Sequence, residues 1–365
     1  MLIAGLSYPM KKRIAPALLD WHQNENRREM PWKGETDPYK VWLSEVILQQ
    51  TRVEQGLDYY LQFIKKYPTL AKLAKAKDED VFKLWEGLGY YSRCKNLLFT
   101  ARFIQNELKG RFPDNYDDLL RLKGVGPYTA AAIASFVFNQ PHAVVDGNVF
   151  RVLSRVFGIN TPIDSTAGKQ AFTELANLQL DRKQPGLYNQ AIMDLGATVC
   201  KPFLPVCQSC PLHKHCSAFA TGTVNQLPVK EKKLQKKSRW FYYFILEADG
   251  KWMVNKRGAG DIWENLYEFM LIENESAQTW SDEAIQSLLK EQLSIQKAEI
   301  VSISSEQRQL LTHQEIRGQF IHLSLKHIPK TLEQHAWHPV KNLRKLSFPK
   351  FITQYLDNRE KLLFP

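Results

Sequence analysis

The chain has 365 residues, enough for two or three domains that each bury a core of their own. Its apolar share of 44% and charged share of 24% are those of a soluble globular protein, and no apolar run is long enough to span a membrane. Forty-nine Lys+Arg against 38 Asp+Glu leave a formal charge of +11, a balance that favours an anionic partner. The opening MLIAGLSYPMKK carries its basic residues after a short apolar piece, the reverse of a secretory signal, so a cytoplasmic location is expected. No repeat of fixed period and no low-complexity tract appears.

In chain order, residues 14–22 read as a helix, followed by a polar turn near Asn24–Arg28 and a loop bearing Trp32. A single long helix is expected over 38–60. Its apolar part, VWLSEVILQQTRV, holds one acid, Glu45, whose i±3 and i±4 neighbours are mostly apolar. An acid there needs a buried partner or stays protonated, because burial raises a carboxyl pKa. It is either a bonded structural carboxylate or a general acid. Further helices are expected at 69–75, 78–85 and 92–108. Between the last two lies Gly87-Leu88-Gly89-Tyr90-Tyr91, a loop whose aromatics either pack between helices or wedge into a base stack.

Residues 122–155 concentrate the strongest signals. Gly124-Val125-Gly126 is a turn whose glycines let backbone N–H groups approach a phosphate, and Pro127 suits the first turn of an Ala-rich helix over 128–138. After Asn139-Gln140-Pro141, Ala143-Val144-Val145 leads to Asp146 at the start of a helix over 148–157. Asp146 reads as an N-cap, and a carboxylate there also suits a site that faces a developing cation. Helices at 166–180 and 187–199 follow.

Cys200, Cys207, Cys210 and Cys216 are spaced C-x6-C-x2-C-x5-C, a compact set that argues for metal rather than disulfides in a reducing compartment. One tight loop of four thiols suits an iron–sulfur cluster better than zinc. Cys94 stands apart as a small buried hydrophobe. Residues 217–238 are polar and basic and read as a linker. Beyond them the periodicity turns to β: a hairpin over 240–247 and 251–256 with an Asp249-Gly250 turn, then helices near 281–292 and 347–357 with strands between.

The Gly-Val-Gly hairpin with Asp146 about twenty residues on resembles the helix–hairpin–helix DNA glycosylase superfamily. The endonuclease III and MutY-type adenine glycosylase branches are nearest. That resemblance implies a multidomain α plus α+β protein. A cluster-bearing helical domain would take 1–28 and 142–222, a six-helix barrel 29–141, a basic linker 223–238, and a Nudix-like 8-oxoguanine-recognition domain 239–365. It implies a 4Fe–4S cluster on the four cysteines, with Lys201 and Lys214 on its loop, and duplex DNA bearing A:8-oxoguanine or A:G as partner of a monomer. Glu45 and Asp146 match the catalytic acid and aspartate, with Tyr128 and Asn148 beside them. Arg28, Trp32, Leu48 and Gln190 match the adenine pocket. Gln50 and Tyr90 match residues inserted in the duplex, and Gly124 and Gly126 match the phosphate-holding glycines. In the last domain IWENLYEF (262–269) looks like the Nudix-type segment, but the Mg²⁺-binding box is missing. Leu311-Thr312-His313 resembles the family's Phe-Ser-His loop, from which Leu and Thr depart, and Phe150 stands where relatives often carry lysine. Glycosylases that also cleave the strand carry a lysine at the place of Tyr128, so the expected activity is base removal without strand cleavage. An endonuclease III-like glycosylase/lyase and a non-catalytic DNA-binding iron–sulfur protein are the alternatives.

Overall fold

The computed structural model describes residues 13–231 and 236–363. Two compact units emerge, one of residues 1–75 and 95–233, the other of 76–94 and 234–365. The expected domain limits at residues 1 and 365, the opening MLIAGLSYPMKK, and linker residues 232–235 lie outside the described residues.

The first unit is helical: α1 (Ala15–Asn24), α2 (Pro38–Leu48), α3 (Val53–Lys66) and α4 (Leu70–Ala74) precede the stretch assigned to the other unit. α5 (Asp78–Trp85) lies in that stretch, and the division falls within α6 (Tyr91–Asn106). The helical unit then continues with α7 (Tyr116–Leu120), α8 (Pro127–Phe136), α9 (Gly147–Phe157), α10 (Thr166–Gln179), α11 (Pro185–Thr198) and α12 (Ser217–Ala220). α1, α8, α9, α10 and α11 share one core, in which Leu18, Ala132, Val152, Phe172 and Leu195 are fully buried.

Three expectations need correction. The single helix over 38–60 is two helices. α2 ends at Leu48, Gln50 adopts φ +55°, and Thr51 N–H bonds back to Leu48 C=O at 3.1 Å before α3 starts. No Gly or Pro marks the break, so composition could not show it. α7 was not expected at all. Five residues carry too little periodicity, although Asn115 caps it by accepting from Asp118 N–H at 3.0 Å. The stretch 217–238 is not a free tether in its first part. It contains α12, Leu227 is buried, Arg155 Nε donates to Leu227 C=O at 3.1 Å, and Ile163 N–H donates to Val229 C=O at 3.0 Å.

The second unit holds an eight-stranded sheet: β1 (Lys237–Ala248), β2 (Lys251–Lys256), β3 (Tyr267–Glu268), β4 (Met270–Asn274), β5 (Glu299–Ile303), β6 (Gln307–Leu310), β7 (Gln314–Ser324) and β8 (Ala336–Pro339). The β1–β2 turn carries Asp249 at φ +50° and Gly250 at φ +68°, as a type I′ hairpin requires. β1 pairs with β7 in parallel from Lys237–Gln314 to Glu247–Ser324 and with β4 antiparallel over Trp240–Phe244. The two long strands meet so closely at Gly318 that a Cβ there would lie 1.7 Å from Phe241 C=O. α13 (Asp282–Leu293) buries Ile285 and Leu289 against one face of the sheet, and α14 (Lys350–Leu363) supplies Phe351, which packs on Tyr243 and Phe320.

Candidate active site

Four of the expected catalytic residues converge in the helical unit. Asp37 caps α2 by accepting from Tyr39 N–H at 2.9 Å, and Pro38 fills the first turn. Two turns on, Glu45 is only 6% exposed. Burial pushes its carboxyl up to about 7, against a hydrogen bond from Tyr128 that lowers it; nearby Asp146 raises it further. α8 supplies Tyr128, whose hydroxyl is bonded to Glu45 and lies 3.4 Å from Met193 Sδ. Burial, then the charges of Glu45 and Asp146, hold that phenol well above its usual pKa, so it stays neutral and a donor.

Asp146 is the N-cap of α9 and accepts from Val149 N–H at 2.7 Å and Asn148 Nδ2 at 2.9 Å. Burial raises its pKa, while these donors, the Asn148 backbone N–H and Arg151 work the other way. Tyr128 and Asp146 each retain some accessible surface. They are therefore reachable from outside yet ringed by enough protein to be poorly screened by water.

Asn148 is itself held. Arg151 Nη2 donates to its Oδ1 at 2.7 Å, which forces the amide nitrogen toward Asp146. Arg151 also donates to Gly196 C=O and Cys200 C=O, each at 2.7 Å. A Cβ on Gly196 would lie 2.6 Å from Asn148 Cβ, so only glycine lets α11 pass this close to the start of α9.

Of the expected pocket residues, Arg28 and Gln190 meet at one carboxylate, Asp194 on α11. Arg28 Nη1 is 2.8 Å from Asp194 Oδ1 and Gln190 Nε2 is 3.1 Å from the same oxygen. Sequence reasoning missed Asp194, although it is a lone acid in the apolar run QAIMDLGATVC, the same signal that Glu45 gives. Trp32 stands edge-on to Tyr60 at 5.2 Å, and Leu48, one turn past Glu45, rests on Gly56. Gln50 is exposed in the break after α2.

At the hairpin, Gly124 adopts φ +81° and has no room for a side chain, since a Cβ would meet Asn96 Cβ at 2.8 Å. Gly126 has open space where a side chain would be and forms the N-cap of α8. Phe150 points into the core, edge-on to Phe172 at 5.3 Å.

The four cysteines line one pocket with Arg155 and apolar side chains that include Leu195 and Leu212. Among the described residues no tight group of three His, Cys, Asp or Glu forms. Arg155 lies 3.4 Å from Cys200 Sγ and donates to Lys201 C=O at 2.7 Å, so it ties the loop to α9. Burial pushes the Cys210 thiol up to about 12, with the other three thiols adding to the rise. Cys94 is a buried thiol.

In the second unit, Thr312 and His313 are exposed in the loop between β6 and β7. The Tyr90 and Thr312 hydroxyls are hydrogen-bonded, and Lys237 N–H donates to His313 C=O at 3.2 Å. Tyr90 adopts φ +49°, a left-handed conformation uncommon for a tyrosine.

Residues 43–177 match the family described as "HhH-GPD superfamily base excision DNA repair protein", and residues 241–358 match "NUDIX domain". The chain is 32% identical over 346 residues to "Adenine DNA glycosylase" of Buchnera aphidicola subsp. Schizaphis graminum, covering 93% of this chain and 96% of that one. It is 45% identical over 223 residues to the protein of the same name from Rattus norvegicus, covering 58% of this chain and 43% of the relative. The human counterpart is 46% identical over 211 residues, covering 55% and 38%. Among solved structures, a "thermostable thymine-DNA glycosylase" superposes with a TM-score of 0.52 at 30% identity, covering 57% of this chain and 95% of its own.

Proposed function

The chain belongs to the adenine DNA glycosylase family, and on that premise we propose that it removes adenine paired with 8-oxoguanine or guanine and leaves the strand intact. The observation that carries this reading is the pair Glu45 and Asp146. One carboxyl is raised to about 7 in a dry site, and the other is held at a helix N-terminus by several donors. A target base in a duplex is out of reach and has to be flipped out. Glu45 protonates the departing adenine, and Asp146 faces the oxocarbenium character that develops on the sugar. Tyr128 donates to Glu45, and Asn148 orients Asp146 and the attacking water. With a phenol at position 128 there is no amine to form a Schiff base.

Arg28, Trp32, Leu48 and Gln190 form the adenine pocket in this reading, Gln50 and Tyr90 enter the duplex, and Gly124 and Gly126 receive a phosphate. The four cysteines suit a 4Fe–4S cluster, because their sulfurs share one largely apolar pocket beside a guanidinium. Such a cluster would fix the loop that carries the exposed Lys201 and Lys214. The division into a cluster domain (1–28, 142–222), a barrel (29–141), a linker (223–238) and a lesion-reading domain (239–365) is part of the same reading. So is action as a monomer in the cytoplasm. Among the described residues no helix is long and apolar enough to cross a membrane.

The test is a nicking assay on duplexes with A opposite 8-oxoguanine. Product strands are expected only after alkali or heat, and breakage without either would contradict the reading. Purified protein is expected to be brown, with about four irons per chain, and Cys210→Ser to be colourless or insoluble. Stoichiometric zinc without iron would contradict the cluster.

In the same reading Thr312 and His313 read the base opposite adenine. 8-Oxoguanine differs from guanine by a carbonyl at C8 and an N–H at N7, so one base-edge contact separates them. The full-length Thr312→Ala/His313→Ala protein is expected to lose about 5- to 150-fold of its preference for 8-oxoguanine, measured by single-turnover excision. An unchanged preference would remove these residues from the role.

A further inference from the structure

Asp194 is fully buried, and the chemistry assigned above to Glu45 and Asp146 does not use it. Its two oxygens are saturated. Oδ1 accepts from Arg28 Nη1 at 2.8 Å and Gln190 Nε2 at 3.1 Å, and Oδ2 accepts from Asn26 Nδ2 at 2.8 Å and Lys33 Nζ at 2.7 Å. His22 Nδ1 stands 3.8 Å away and 2.9 Å from the Asn26 amide. Lys33 also donates to the backbone C=O of Arg28. One carboxylate therefore gathers the chain from His22 to Lys33 onto α11.

The consequence for Gln190 is specific. A carboxylate only accepts hydrogen bonds, so the Gln190 amide has to turn its NH₂ toward Asp194. That leaves Oε1 as the acceptor the amide offers a ligand, beside the second N–H of the same NH₂. An acceptor there suits the 6-amino donor of adenine and opposes the 6-oxo acceptor of hypoxanthine or guanine. Arg28, a donor only, is held by the same oxygen and is matched to a ring nitrogen with a lone pair.

We propose that Asp194 is a positioning residue for base specificity, fixing the Gln190 amide and Arg28 in the orientation that accepts adenine and rejects 6-oxopurines. This rests on the reading that Arg28 and Gln190 form the adenine pocket. Met193, the neighbouring residue on α11, lies against the Tyr128 hydroxyl, so the same helix addresses both the base pocket and the acid.

The experiment uses full-length wild type, Asp194→Asn and Asp194→Glu, with adenine or hypoxanthine opposite 8-oxoguanine under single-turnover conditions. An Asn side chain presents either a donor or an acceptor, so Gln190 is free to flip. Adenine excision by Asp194→Asn is expected to fall about a hundredfold through misplacement of the pocket. The ratio of adenine to hypoxanthine excision is expected to fall by about tenfold or more. A purely structural defect would lower both rates together and leave that ratio alone. Asp194→Glu keeps an acceptor-only group and is expected to retain the wild-type ratio, so a lost ratio there overturns the assignment even if Asp194→Asn does not fold. An unchanged ratio in folded Asp194→Asn, or a lost ratio in Asp194→Glu, overturns the assignment. Wild type that fails to excise adenine overturns the functional reading instead, so the two failures are distinguishable.

Discussion

Replacing Glu45 with Gln is expected to lower adenine excision by about 10²- to 10⁴-fold, the usual contribution of a positioned general acid. Gln keeps the shape and still accepts from Tyr128, but it carries no proton to give. The wild-type pH profile should follow from the same group. A carboxyl at about 7 holds its proton below that pH, so kcat/KM is expected to decline by about tenfold per unit above it. Stability should fall in the same direction, starting at lower pH. The folded pKa lies above the unfolded value near 4.5, so the folded state binds the extra proton between those two values. Stability is intact below the unfolded pKa and is lost as the pH rises through the folded one, by up to about 3 kcal/mol. Glu45→Gln does not titrate. Its melting temperature is expected to exceed that of wild type at pH 8 and to approach it at pH 5. A difference independent of pH would contradict the raised carboxyl.

Asp146→Asn is expected to lower excision by about 10²- to 10³-fold, the scale of losing one preorganised electrostatic group. Asn is as good an N-cap as Asp, so α9 and the melting temperature should survive the change. Duplex binding is expected to stay within about tenfold, because phosphate contacts are untouched. Near-normal excision by this variant would leave the sugar cation with some other stabiliser.

The proposed catalytic pair could be singled out because each signal is local. Glu45 breaks an apolar helix face, Asp146 opens a helix, and the cysteines lie within one loop. Asp194 gives the same signal as Glu45 and went unread, since its partners lie 166 and 168 residues away in sequence at Arg28 and Asn26. The break at Gln50 was illegible because the left-handed turn falls on a residue that is itself an ordinary helix former. Residues 217–231 look like a solvated linker by composition. Arg155 and Ile163 hold part of them through backbone groups, which carry no sequence signature. The strand content of the second unit could be read from alternation and from Asp249-Gly250. The parallel union of β1 with β7 could not, because it joins segments that no short pattern connects.

That union has a consequence during synthesis. β1 contains Trp240-Phe241-Tyr242-Tyr243-Phe244-Ile245, most of it buried in the finished sheet, and its full-length neighbour β7 ends roughly 75 residues later. At about 5–20 residues per second, the strand leaves the ribosome about 4–15 s before that edge can be covered. β4 reaches the other edge sooner, but only over Trp240–Phe244. For those seconds the nascent chain exposes a sticky aromatic ribbon. Lys230, Lys232, Lys233, Lys236, Lys237 and Arg239 stand at or just before its start, where like charges keep neighbouring ribbons on a polysome apart. Neutralising that basic run should show first as inclusion bodies in growing cells, well before any change in the purified enzyme.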